Sequence, residues 1–177
     1  MVEGVCFVET KKEAFLFLHL SYIQEMRQNF IEVKEITYKE TLSPRRQWLR
    51  PFLTESQCVY PGDLHPDSFH LGAFSGDKLV GIASFFKEGH EALQGQNPFR
   101  LRQMASAPSF RNKGVGRQLI LVAKKMLKER QSTLLWCHAR QEAFGFYEKM
   151  GFLYYGPLFH VPQIGPHKIM YLLLKTS

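Results

Sequence analysis

The stretch Arg111-Asn112-Lys113-Gly114-Val115-Gly116, with Arg117 after it, decides how this chain is read. It joins a segment of strand character, Phe99 to Ala107, closed by Pro108, to a long amphipathic helix. After the loop, Val115, Leu119, Ile120, Val122, Ala123, Met126 and Leu127 recur at the spacing of one helix face. A helix N-terminus leaves its first backbone N–H groups without intrahelical acceptors, all pointing one way. With the positive end of the helix dipole they form an anion site suited to phosphate or pyrophosphate. Gly114 and Gly116 allow a tight curl and a close approach to the anion, while Arg111, Lys113 and Arg117 add charged donors on the rim. Neither G-x-x-x-x-G-K-S/T nor G-x-G-x-x-G is present, so the P-loop and the dinucleotide fingerprint are no rivals. Taken alone, the stretch describes an ordinary strand-to-helix turn with solvated basic residues equally well. Its surroundings must decide.

Working outward, residues 31–37 alternate apolar and polar like a half-buried strand, and 38–52 are helical in pattern, with Pro44 near a start or break. Residues 55–67 form a proline-bearing loop, and Ser75-Gly-Asp-Lys78 reads as a hairpin turn between strands at 69–74 and 79–86. The polar loop 87–98 is placed to shape a substrate cleft, and further strands fall at 133–139, 152–158 and 168–174. The pattern is α+β, a mixed sheet with helices packed on it, in one domain.

Charge is unevenly placed. Residues 1–99 carry 10 Lys/Arg against 13 Asp/Glu, and residues 100–177 carry 13 against 3. The positive charge gathers around the loop, where a polyanionic small molecule explains it and nucleic acid is the other candidate. Nucleic-acid binding by stacking would need aromatic residues among the basic ones, and 111–130 has none, so it is not favoured. Cys6, Cys58 and Cys137 are odd in number and far apart, which argues against a disulfide framework or zinc cluster and fits a reducing cytoplasm. No apolar run reaches the roughly eighteen residues of a membrane span. Residues 1–25 read as an N-terminal extension, with the domain running from 26 to 177 and a start at Met26 sufficient for folding. The competing expectation is that Phe15, Leu16, Leu18 and Leu20 pack on the domain or on a second subunit of a homodimer.

The chain resembles the GNAT superfamily of N-acetyltransferases, whose acetyl-CoA signature is an Arg/Gln-x-x-Gly-x-Gly/Ala loop like Arg111 to Gly116. Gln103-Met-Ala-Ser-Ala-Pro108 resembles the splayed fourth strand before that loop, and 133–139 the fifth strand. Ala143-Phe-Gly-Phe-Tyr-Glu-Lys-Met-Gly-Phe152 resembles the A-x-x-F-Y-x-K-x-G-F segment that follows. Gly165-Pro166-His167 is similar to a Gly-Pro-His segment before the last strand in a group of small bacterial members. The resemblance runs from about Leu71 to the C-terminus. It implies a mixed, mostly antiparallel sheet with splayed central strands and helices on both faces. It also implies acetyl-CoA as co-substrate, held by the backbone of Met104, Ala105 and Ser106 and by the loop Arg111, Asn112, Lys113, Gly114, Val115, Gly116 and Arg117, with no metal.

Acetyl transfer needs a neutral amine, a polarised carbonyl and a protonated leaving thiolate. Tyr147 matches the family's general acid, and a phenol is protonated at neutral pH. Packing among Phe144, Phe146 and Phe152 is the plainer role for it. His167 and His138 are the two candidate bases; related sequences commonly carry Asn at the second position, which suits a hydrogen-bonding role there as well. Cys137 reads as a core thiol. Asp63, His65, Asp67 and His70 have ligand chemistry but no regular metal spacing, and Arg45, Arg46 and Arg50 either line the acceptor cleft or are solvated. The expected activity is acetyl transfer from acetyl-CoA to a small-molecule amine or peptide. A catalytically dead acyl-CoA sensor is the alternative.

Overall fold

The computed structural model describes Leu16 and residues 30–175, so the readings made for residues 1–25 and for a start at Met26 lie outside the described residues. Strand β1 (Ile31–Ile36) pairs with β2 (Phe69–Ser75), which turns through Gly76-Asp77 into β3 (Lys78–Lys87). Then follow β4 (Phe99–Ser106), β5 (Leu134–Arg140), β6 (Leu153–Val161) and β7 (Gly165–Leu173). They make one seven-stranded sheet in the order β1-β2-β3-β4-β5-β7-β6. Every pair is antiparallel except β4 with β5. The α+β fold with a mixed sheet is therefore as expected.

Helix α1 (Tyr38–Leu49) covers one face of the sheet and α2 (Val115–Glu129) the other. The amphipathic pattern of α2 does what its spacing implies. Val115, Leu119, Ile120, Ala123 and Leu127 are buried against Phe69, Leu71, Ala73, Val80, Phe85 and Leu101. Each of the valine, leucine, isoleucine and phenylalanine side chains among them contributes about 1.5–3 kcal/mol relative to exposure. Because β3 lies between the two helices it reads as a nearly continuous apolar run, with Val80 to Phe86 buried throughout.

Pro44 neither starts nor breaks α1; it lies inside the helix. A proline there typically costs about 3 kcal/mol, since it removes one ladder bond and crowds the preceding turn. Tertiary contacts offset that cost. The Glu40 carboxylate accepts from the Thr37 N–H at 2.7 Å and its hydroxyl at 2.8 Å, closing the N-terminus. One residue after the proline, Arg45 is fully buried and grips Asp63 through two bonds of 2.6 and 2.7 Å. Its guanidinium also donates to the Cys58 carbonyl and the Ser84 hydroxyl, both at 2.8 Å, tying α1 and the loop after it onto β3.

Candidate active site

The central strands part company. Pairing between β4 and β5 consists of Phe99 with Leu135 and Arg100 with Trp136, and then stops. Beyond it the strands splay into a cleft of about 360 Å³. On its other side β4 has a bulge: Ile82 faces Ala105 and Ser84 faces Arg102, so Ala83 stands opposite both Gln103 and Met104. Gln103 is left-handed, with φ of 52°. For a residue other than glycine this conformation is sparsely populated, and such outliers collect at functional sites. After the bulge, the Ala107 N–H donates to the Val80 carbonyl at 2.9 Å. The alternation of a strand then turns the N–H groups of Ser106 and Met104 the other way, toward the cleft.

The loop closes one end. Asn112 and Gly114 are both left-handed, with φ of 61° and 80°, and nothing lies within 4 Å of where a Cβ on Gly114 would stand. The first helical bond is donated by Gln118 to the Gly114 carbonyl, so the N–H groups of Val115, Gly116 and Arg117 precede the ladder. Arg111, Asn112, Lys113 and Arg117 are exposed. Two further residues of the loop pack inward. The Val115 side chain is buried in the core, leaving its backbone for a ligand. Gly116 is helical and abuts the Phe146 ring, where a Cβ would come within 3.2 Å, so its lack of a side chain serves helix packing.

Met104, Ala105, Ser106, Arg111, His138, Tyr147 and His167 all line this one cleft. Strand alternation sorts the side chains. Cys137 belongs to the core on the α2 face, and Tyr147, from α3 (Phe144–Lys149), joins it there. The Tyr147 hydroxyl and the Cys137 thiol are buried together there. Burial, with Cys137 adding to it, holds the Tyr147 phenol well above its usual range, so it stays protonated. Burial likewise pushes the Cys137 thiol up to about 12, which leaves it inert as a nucleophile.

His138, Arg140 and His167 face the other way, toward α1, and their ring nitrogens are assigned by their partners. Arg100 Nη2 donates to His138 Nδ1 at 3.0 Å. A guanidinium cannot accept, so Nδ1 supplies its lone pair and Nε2 carries the proton. Burial, then the Arg100 and Arg102 charges, lower the His138 pKa to about 4. At His167 the polarity is reversed: Nδ1–H donates to the Gly165 carbonyl at 2.9 Å, leaving the Nε2 lone pair free. The Gly165-Pro166-His167 segment opens β7 instead of preceding it, paired with Val161, His160 and Phe159.

Several expectations about neighbours change. Arg45 does not line the cleft but is ion-paired with Asp63, and Arg46 is exposed; only Arg50 reaches the cleft wall. Asp63 is thus occupied by a cation of the chain itself, and His70 contacts Ser84 at 3.0 Å. The loop 88–98 contributes no lining residue; Trp48 at the end of α1 and Ile164 in the β6–β7 turn stand there instead. Trp48 and Ile164 carried no local signal of a site role, and Arg100 and Arg102 showed only as part of the positive charge gathered around the loop, because the topology alone brings them to the splay.

A sequence profile of the Acetyltransferase (GNAT) family matches residues 25–152. The chain is 38% identical over 147 residues to the uncharacterised N-acetyltransferase YitI of Bacillus subtilis, covering 83% of this chain and 99% of that one. Among solved structures it is similar to the ribosomal-protein-S18-alanine N-acetyltransferase of Escherichia coli, with a TM-score of 0.67 at 15% identity over 84% of this chain and 96% of that one. It is also similar to an aminoglycoside 6'-N-acetyltransferase complexed with coenzyme A, with a TM-score of 0.61 at 14% identity over 82% and 98%.

Proposed function

The chain belongs to the GNAT family of acetyltransferases and is an acyltransferase, and from that premise we propose that it moves acetyl from acetyl-CoA to a primary amine by direct attack in a ternary complex. The observation that carries this reading is the splay between β4 and β5, lined by Tyr147 from the α2 side and His167 from the α1 side. The cofactor's phosphates suit the N–H groups of Val115, Gly116 and Arg117 beside Arg111, where open space around Gly114 allows close approach. Its pantetheine arm suits the unpaired edge of β4, as an added strand would.

The chemistry follows from the side chains. The Ser106 and Met104 N–H groups donate to the thioester oxygen as it gains charge. His167 Nε2 accepts the proton that the amine gives up as the C–N bond forms. Tyr147 gives its proton to the sulfur as the C–S bond breaks, and a phenol held protonated by burial is suited to that step. His138, whose lone pair already serves Arg100, acts as an N–H donor toward the acceptor, not as the base.

Thiol release from acetyl-CoA across a panel of amines tests the reaction. Tyr147→Phe removes one hydroxyl, so the melting shift caused by acetyl-CoA should persist while kcat falls by roughly 10²–10⁴. A loss below about threefold would leave Tyr147 with a packing role only.

A further inference from the structure

Five arginines line the cleft, Arg50, Arg100, Arg102, Arg111 and Arg140, and no aspartate or glutamate is among its described lining residues. Arg111 belongs to the loop at the start of α2. The other four stand apart from it. Strand alternation puts Arg100 and Arg102 on the α1 face of β4, opposite the buried Phe99 and Leu101, and Arg140 on the same face of β5. Arg50 caps the end of α1 above them.

Their compensation is poor. Arg100 pairs with Glu88 at 2.5 Å, yet its Nε is buried without a partner. Among the described residues no carboxylate lies within ion-pair distance of Arg50, Arg102 or Arg140. Arg102 is instead held between two rings, 5.4 Å from Tyr60 and 5.9 Å from Phe86. Burial and the neighbouring guanidinium, Arg100 for Arg102 and Arg50 for Arg140, depress the pKa of both. Concentrated like charge in a part-buried cleft is unfavourable until an anion enters. The phosphate-binding N-terminus of α2 is on the opposite face, so the cofactor does not account for this group.

We infer that the α1 side of the cleft is an oxyanion pocket, and that the acceptor is a compact amine bearing a carboxylate or phosphate a few bonds from its nitrogen. This rests on the acyl-transfer reading above. Arg140 lies directly across from His167 in the β5–β7 register. Side chains in such a pair start only about 5 Å apart. An oxyanion on Arg140, within this group of guanidiniums, therefore leaves the amine of a small amino acid beside His167 Nε2. The planar guanidinium fork suits either oxyanion.

Matched acceptors test the pocket: glycine and glutamate against their α-amides, glucosamine 6-phosphate against glucosamine, and spermidine as a cation. Rates are compared at equal neutral-amine concentration, because amidation lowers the amine pKa. Anionic members should exceed their neutral partners by roughly 10–100-fold in kcat/KM, chiefly through KM. Which pair shows the larger ratio tells carboxylate from phosphate. Arg102→Gln and Arg140→Gln should erase the preference and keep the acetyl-CoA melting shift, while Arg102→Lys keeps part of it. Equal or better use of the neutral or cationic members overturns the pocket, as does a preference that survives both Gln variants. Should no amine be acetylated although acetyl-CoA binds, the transfer reading fails on its own. Calorimetric titration of glutamate and of inorganic phosphate into the CoA-saturated protein then decides the pocket: tighter binding by wild type than by Arg102→Gln supports it, and equal or absent binding overturns it.

Discussion

Two histidines of the same chemistry, on one face of one sheet, are made into different tools by a single hydrogen bond each. His167 donates through Nδ1 to the Gly165 carbonyl and keeps a lone pair on Nε2, whereas His138 gives its lone pair to Arg100. With a pKa lowered to about 4, His138 stays neutral through the ordinary assay range and takes up a proton only near that value. No acidic limb in kcat/KM between pH 5 and 8 is therefore expected from His138. His167→Gln should cut kcat by roughly 10²–10⁴, while His138→Gln should mainly raise KM. A kcat loss in His138→Gln as large as in His167→Gln would transfer the base to that residue. The sequence could nominate both imidazoles but not rank them. The ranking depends on Arg100 and Gly165, and Arg100 is distant along the chain from His138.

At the scale of elements, α1 is held by a buried ion pair, not by an apolar stripe. Arg45 and Asp63 are both fully buried at their side chains, joined by two hydrogen bonds. Removing one partner strands the other charge in the interior, which typically costs about 3–5 kcal/mol. Asp63→Ala should accordingly lower Tm by roughly 6–20 °C, and the double variant Arg45→Met with Asp63→Leu should lose less than the two single losses combined. A drop of only about two degrees in Asp63→Ala would show that α1 is held by something else. The same network explains why Pro44 is tolerated and why Arg50, at the helix end, sits over the cleft. In the sequence, Arg45 could either line the cleft or be solvated, and Asp63 stood in a group with ligand chemistry but no metal spacing, because each was read without the other.

For the molecule as a whole, the family profile matches residues 25–152, and we propose that the domain starts at Met26. We expect a chain beginning at Met26 to remain folded and to show the acetyl-CoA melting shift of the full chain. Burial of even one large apolar side chain is worth about 1.5–3 kcal/mol, so the contrary case is easy to see. If the shortened chain aggregates, or melts more than about ten degrees below the full one, the first residues belong to the fold.

Features carried by neighbouring residues were legible in the sequence. The face of α2, the Ser75–Lys78 hairpin and the Arg111–Gly116 loop all show, because helix period, turn chemistry and helix-terminal donors act over a few residues. The family likeness and its α+β fold rest on those same local patterns. What the tertiary structure alone decided is non-local. The family likeness implies splayed central strands, but the point where β4 and β5 stop pairing is set by the fold, and the bulge puts Gln103 in a left-handed conformation that no glycine announces. The sorting of arginines into a buried ion pair, an exposed loop and an α1-face cluster depends on which face each strand turns to its helix. A guanidinium has the same charge in all three places, and only its surroundings set it apart.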